Sequence, residues 1–359
     1  MIEVTLLRKL PISIFMSLVL IMSFASTALA DKPHDYEQIP AGFQSDSFEF
    51  EGYERTFQYY VPSSYSGKKS VPLMLSFHGR GSNSDGQIGL TGFEKVAEKE
   101  GFIVVFPDST EIDDGNLTAP SHRFQWNDGR TDTPQYRAGV DDVAFTSELI
   151  DYFEEKFNID PSRIYASGMS NGSIFSNRLA VELSDRIAGI GAVTGPLAPS
   201  IAEKAPKGPI TVVLFMGDQD PIVPYNGAPS VLLGAESTVD YWVEANDTAS
   251  KPRVTYLPQT AEGDPTKIRR EVYSGGKHGT EVIFYKMEGA GHTWPGGPQY
   301  LPPEYIGLVS NQINGSQLIW DELKTHRLPG AKSQGKQLQL AESLLDSKQH
   351  FAVPYRPKN

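Results

Sequence analysis

Gly168-Met169-Ser170-Asn171-Gly172 is a G-x-S-x-G pentad lying between a short apolar run and a helical pattern. In a strand-to-helix turn, small residues at the ends of the pentad let the chain bend sharply and lift the serine hydroxyl above a sheet edge. The helix that follows aims main-chain N–H groups at the same space. A serine hydroxyl is a poor nucleophile near neutral pH unless a base takes its proton, and the base needs an acid to orient it. Downstream the chain supplies both in turn: Asp220 in Gly217-Asp218-Gln219-Asp220-Pro221-Ile222-Val223-Pro224, then His292 in Gly289-Ala290-Gly291-His292-Thr293-Trp294-Pro295-Gly296-Gly297. Ser170 as nucleophile, His292 as base and Asp220 as orienting acid would perform acyl transfer. Asp218 competes for the acid position, and the alternative for His292 is an ordinary surface-loop histidine.

A tetrahedral intermediate also needs donors for its oxyanion. The N–H of Asn171, directly after the nucleophile, is one candidate. The turn His78-Gly79-Arg80-Gly81 is placed to give a second, from the N–H of Arg80, and loss of one such donor costs roughly 100- to 1,000-fold in turnover. The alternative for Arg80 is an exposed loop residue. His78 is expected to shape its loop, and Asp141 and Asp142 are expected to cap a helix. The histidines show no metal-ligand spacing.

These residues need a sheet to bring them together. Residues 56–61, 71–77, 102–106, 164–166, 187–193, 210–216 and 281–287 read as strands, several of them apolar throughout, as in strands buried on both faces. Helical patterns cover residues 93–100, a stretch from 141, the run after Ser170 to Leu183, and residues 237–245 and 317–323. Alternating strand and helix predicts an α/β fold with a mostly parallel central sheet and helices on both faces. Loops at the carboxyl ends of its strands share one edge, where Ser170, Asp220 and His292 can converge. The long segment from Pro107 to about Gly139 exceeds a simple connection and is expected to carry function.

A formal net charge of −12 repels nucleic acid and anionic lipid, so a neutral or weakly charged substrate suits the chain better. Apolar content of 39% and charged content of 21% exclude a mostly disordered chain or a polytopic membrane protein. Arg8 and Lys9 precede an apolar run over residues 12–24 that ends in Thr27-Ala28-Leu29-Ala30. That layout predicts an export signal over residues 1–30, a secreted or periplasmic destination, and no stable membrane insertion after cleavage. The sequence contains no cysteine, which excludes lipidation at a signal-proximal thiol and disulfides. One catalytic domain is expected over residues 31–328, with a polar tail over 329–359.

His78-Gly79, Trp126-Asn127-Asp128-Gly129-Arg130, Asp141-Asp142-Val143, the Ser170 pentad, Asp220 with Val223-Pro224-Tyr225, and Gly291-His292-Thr293-Trp294-Pro295-Gly296-Gly297 together resemble the polyhydroxybutyrate depolymerase and feruloyl esterase family. The likeness runs from about Phe57 to Leu328. It implies an α/β-hydrolase that cleaves carboxylic esters through an acyl-serine, with no metal or organic cofactor. It also favours Asp220 over Asp218, since the family's acid stands three residues before the Val-Pro pair. Arg80 stands where family members often have cysteine, and Met216 where they often have histidine; both departures bear on the pocket and not on the triad.

Trp126 and Trp294 are candidate substrate contacts, with core packing as the alternative. Feruloyl or acetyl esters of plant polysaccharide are the favoured substrates, followed closely by hydroxybutyrate polyester or its oligomers. A serine peptidase and an acyltransferase would use the same apparatus. A non-catalytic polysaccharide-binding protein would have no use for the triad.

Overall fold

The computed structural model describes residues 41–113, 115 and 123–331. The expected export signal lies outside the described residues, as does the expected tail from residue 332 onward. Ten strands, β1 Gly42–Phe50, β2 Tyr53–Val61, β3 Val71–Phe77, β4 Ile103–Pro107, β5 Ile159–Met169, β6 Gly189–Val193, β7 Thr211–Gly217, β8 Arg253–Tyr256, β9 Lys267–Tyr273 and β10 Val282–Glu288, form one sheet. Their order is β1-β2-β4-β3-β5-β6-β7-β10-β9-β8. The middle, from β4 to β10, is parallel throughout. β1 and β2 extend it antiparallel on one side, and β9 and β8 on the other.

The apolar runs explain the parallel middle. In β3, Leu73, Leu75 and Phe77 face one core and Met74 the other; in β4, Ile103 and Val105 oppose Val104 and Phe106. A strand buried on both faces needs apolar residues at every position, which is what these runs supply. Helices Asp142–Lys156, Asn171–Glu182 and Ala235–Asn246 cover the first face through residues such as Leu149, Phe175 and Trp242. Helices Phe93–Glu100 and Gly315–Leu323 cover the second through Phe93, Val96, Ile319 and Trp320.

The edge strands β1 and β8 escape the sequence reading because none of their residues is fully buried. β1 alternates between exposed and partly buried positions and turns into β2 through Glu51 and Gly52, both at positive φ (50° and 80°), the geometry of a two-residue hairpin turn. Asp160-Pro161 falls at an irregularity inside β5, which pairs with β3 at Ile159 and resumes at Ile164. From β3 the chain moves to β4 on one side and returns to place β5 on the other. The carboxyl ends of β3 and β5 therefore bound the crevice where strand order reverses, the usual ligand position in such sheets.

Candidate active site

Ser170 occupies that crevice. It joins β5 to helix Asn171–Glu182 with φ 56° and ψ −121°, a conformation that non-glycine residues rarely adopt. Such strain costs on the order of 1–3 kcal/mol and persists only where the surroundings enforce it. Here they do. The Ser170 N–H donates to Val193 O at 2.9 Å. A Cβ on Gly168 would stand 2.3 Å from Gly172 O, and one on Gly172 would stand 2.2 Å from Phe77 O. Both glycines of the pentad are thus required by close backbone approach, which seats the serine turn against the end of β3.

The histidine and its acid come from the ends of β10 and β7. His292 Nδ1 lies 2.7 Å from Asp220 Oδ2, with both side chains buried. The other Asp220 oxygen accepts the N–H groups of Ile222 and Val223, each at 2.8 Å. An acceptor-only carboxylate at Nδ1 selects the tautomer with its proton on that nitrogen, leaving Nε2 free to accept one. The His292 main chain is fixed as well: its N–H donates to Ile306 O at 2.6 Å, and Tyr300 Oη donates to its carbonyl at 2.9 Å. Asp218 takes no part in this. Its Oδ1 accepts the Gly289 N–H at 2.8 Å and braces the loop instead.

Ser170 and His292 line one cavity of about 420 Å³, together with Arg80, Leu90, Ile222 and Tyr300. The Gly79 main chain approaches the serine closely enough that a Cβ there would lie 3.4 Å from Ser170 Cβ. Among the described residues, the main-chain N–H groups of Arg80 and Asn171 have no hydrogen-bond partner. Two unused donors thus stand in the turns on either side of Ser170.

The Trp126 to Arg130 segment ties those two turns together, a role that its sequence does not announce. Trp126 Nε1 donates to His78 O at 3.1 Å. The Asn171 side chain accepts the Trp126 N–H at 2.7 Å and donates to Trp126 O and to Asp128 Oδ2, at 3.0 and 2.6 Å. Asp128 is held in turn by Arg130 through Nε and Nη2 at 2.9 and 2.7 Å. His78 shapes its loop: Nδ1–H donates to Gly79 O at 2.7 Å and Nε2 accepts the Ser109 N–H at 3.0 Å. Burial lowers its pKa, which keeps the ring neutral. Asp141 caps helix Asp142–Lys156 as expected, but Asp142 does not; it is buried in an ion pair with Arg55 at 2.8 Å and accepts the Asn127 N–H at 2.7 Å.

Trp126 and Trp294 are corrected by the structure. Neither lines the cavity. Trp126 is fully buried, edge-on to Phe77 and stacked on Phe175. Trp294 packs against Phe93, with Nε1 donating to Ser316 Oγ at 3.1 Å. With each indole N–H satisfied internally, both large rings serve the core. The aromatic at the cavity is Tyr300, whose hydroxyl pKa is raised to about 12 by burial and then by the nearby Asp220.

The Esterase family model matches residues 49–280, more than half of the chain. The chain belongs to the esterase family. The match stops before His292, so the histidine's place in the site comes from the tertiary structure. The esterase is 30% identical to feruloyl esterase B of Piromyces equi over 243 residues, which span 64% of this chain and 41% of that relative. It is 21% identical to an acetylxylan esterase of Coprinopsis cinerea over 289 residues, 76% of this chain and 75% of the relative. Its fold superposes on the acetyl xylan esterase from Aspergillus awamori with a TM-score of 0.52, covering 70% of this chain and 94% of that one at 16% identity. The esterase is a carboxylic ester hydrolase of α/β-hydrolase fold.

Proposed function

We propose that the esterase is exported and cleaves feruloyl- or acetyl-type esters of plant polysaccharide through an acyl-serine intermediate. The observation that carries the mechanism is the buried His292–Asp220 pair, which opens onto the same cavity as the strained Ser170. Ser170 Oγ attacks the ester carbonyl as His292 Nε2 accepts its proton. The imidazolium that forms is stabilised by Asp220 and gives the proton to the departing alcohol. Water, deprotonated by His292, then attacks the acyl-serine, and as the acyl–oxygen bond breaks the proton passes from His292 to Ser170 Oγ and the acid is released. At both tetrahedral stages the oxyanion accepts hydrogen bonds from the N–H groups of Arg80 and Asn171.

The substrate class is supported by relatives that carry the feruloyl and acetylxylan esterase names, and by cavity size. About 420 Å³, with apolar surface from Leu90 and Ile222, suits a short acyl chain or a single phenyl ring. Export rests on the charged and apolar pattern of residues 1–30. Among the described residues no helix is long and apolar enough to cross a membrane.

The test is hydrolysis of methyl ferulate, 4-nitrophenyl acetate, acetylated and feruloylated xylan and a soluble hydroxybutyrate oligomer by the wild-type protein and by Ser170→Ala. Turnover abolished in the variant, with an acyl adduct trapped on Ser170 in the wild type, supports the mechanism. Turnover that survives the substitution would remove Ser170 from it. Release of ferulate or acetate from the polysaccharide supports the substrate class, and cleavage confined to hydroxybutyrate oligomers would overturn it.

A further inference from the structure

We propose that Arg80 forms a subsite for a carboxylate carried by the ester substrate, close to the scissile bond. This rests on the reading of Ser170 as nucleophile, because the subsite is placed by the cavity that the two residues share. Arg80 stands out among the arginines. Nearly every other described arginine is held by a carboxylate or a carbonyl: Arg55 by Asp142, Arg130 by Asp128, Arg186 by Asp151 and Arg270 by Glu322, for example. Among the described arginines only the side chains of Arg80 and Arg253 have neither a hydrogen bond nor an ion pair, and Arg253 lies on the edge strand β8, away from the cavity.

Arg80 is exposed at the cavity, and no carboxylate among the described residues bonds to its guanidinium. Among the described residues it is, apart from His292, the one basic residue lining the cavity, and none of those lining residues carries a carboxylate. Arg130 stands near enough to repel it, and Arg130's own partner, Asp128, is engaged by Arg130 and Asn171. Crowding by protein, and then Arg130, lower the Arg80 pKa against the opposing pull of Asp128 and Asp132. A guanidinium stays protonated at neutral pH under such a shift, and since Asp128 and Asp132 attract it without bonding to it, its N–H donors are left for a ligand. A protein of net charge −12 repels anions at long range. An anionic ester therefore needs a local cation at the reacting serine, and a planar fork of N–H donors matches a carboxylate in both geometry and charge.

The carboxylate could be on the acyl side, as in a dicarboxylic hemiester, or on the alcohol side, as in an acylated uronic acid. The experiment separates the two with matched pairs: 4-nitrophenyl hydrogen adipate against 4-nitrophenyl hexanoate, and acetylated glucuronic acid against acetylated glucose. The reading is the ratio of kcat/KM, acid over neutral, within each pair. Both members of a pair use the same oxyanion donors, so any general loss from altering Arg80 cancels.

In at least one pair we expect a ratio favouring the acid by about tenfold, lost in Arg80→Met, partly kept in Arg80→Lys, and reduced by added salt. The pair that shows it identifies the side bearing the carboxylate. Ratios at or below one in both pairs, or ratios that Arg80→Met leaves unchanged, would overturn the subsite. Binding of monomethyl adipate and of glucuronic acid to Ser170→Ala, measured by calorimetry, needs no turnover. Binding of either one, weakened at least tenfold by adding Arg80→Met, supports the subsite even if esters are not cleaved. Absent or unweakened binding of both counts against it. Intact binding without hydrolysis in the wild type would sink the serine-esterase reading alone.

Discussion

The side-chain amide of Asn171 donates to Asp128 Oδ2 at 2.6 Å, which ties the residue after Ser170 to a loop more than forty positions upstream. The same amide group brackets the Trp126 peptide, so the start of helix Asn171–Glu182 is held on three hydrogen bonds. Their effect is to fix the direction of the Asn171 N–H. Asp128→Ala is expected to lower kcat by about 10- to 100-fold with KM little changed, because the donor is needed most when the oxyanion forms. Steady-state kinetics on 4-nitrophenyl acetate separates the two constants, and a loss confined to KM would contradict this role.

Asp220 and Asp218 are two residues apart and face different partners. Asp220→Asn puts an amide against His292 Nδ1 and disturbs the tautomer, so kcat should fall by about 1,000- to 10,000-fold. Asp218→Asn keeps an acceptor for the Gly289 N–H and should stay within a few-fold of wild type. Equal losses in the two variants would mean that the buried pair does not drive proton transfer.

Trp294 and Tyr300 are six residues apart and belong to different environments. Trp294→Ala should destabilise the protein by about 3–5 kcal/mol in urea unfolding, as the packing against Phe93 is lost. Tyr300→Phe removes the bond to the His292 carbonyl and the cavity's hydroxyl, so it should change kcat or KM several-fold with little effect on unfolding. The reverse pattern would return Trp294 to the cavity.

Asp160 gives a pH-dependent signature far from the site. Burial works to raise its pKa, but hydrogen bonds from Ser162, Arg163 and Arg327 prevail and hold it at about 2. A carboxylate depressed on folding contributes stability that is fully present above its unfolded value near 4 and lost as pH falls through the folded one. Asp160→Asn should therefore be less stable than wild type at pH 7, with the gap narrowing between about pH 4 and pH 2. Urea unfolding of both proteins at pH 7 and pH 3 reads it, and a gap that stays constant would exclude the ionic origin.

The parallel middle of the sheet and the serine turn were legible in the sequence because both are written in local code. Continuous apolar runs such as Ile103 to Phe106 can be buried on both faces only, and the small residues around Ser170 permit a turn that few other residues tolerate. Strands β1, β8 and β9 were not legible: β1 and β8 are edge strands that keep one side in water, and β9, next to β8, mixes charged with apolar residues. The choice between Asp218 and Asp220 was likewise undecidable from composition or spacing alone: both follow the same strand, and the deciding contact is with a histidine seventy-two residues later. Burial of Trp126 and Trp294 depends on partners as distant as Phe175 and Phe93, so no local pattern distinguishes a core indole from a substrate platform. The sequence by itself thus determined the kind of sheet and the residue types available for acyl transfer. Tertiary structure decided which acid reaches the histidine, which aromatic meets the cavity, and that Arg80 stands beside the serine without a partner, because each of these is a long-range contact that only the folded sheet brings about.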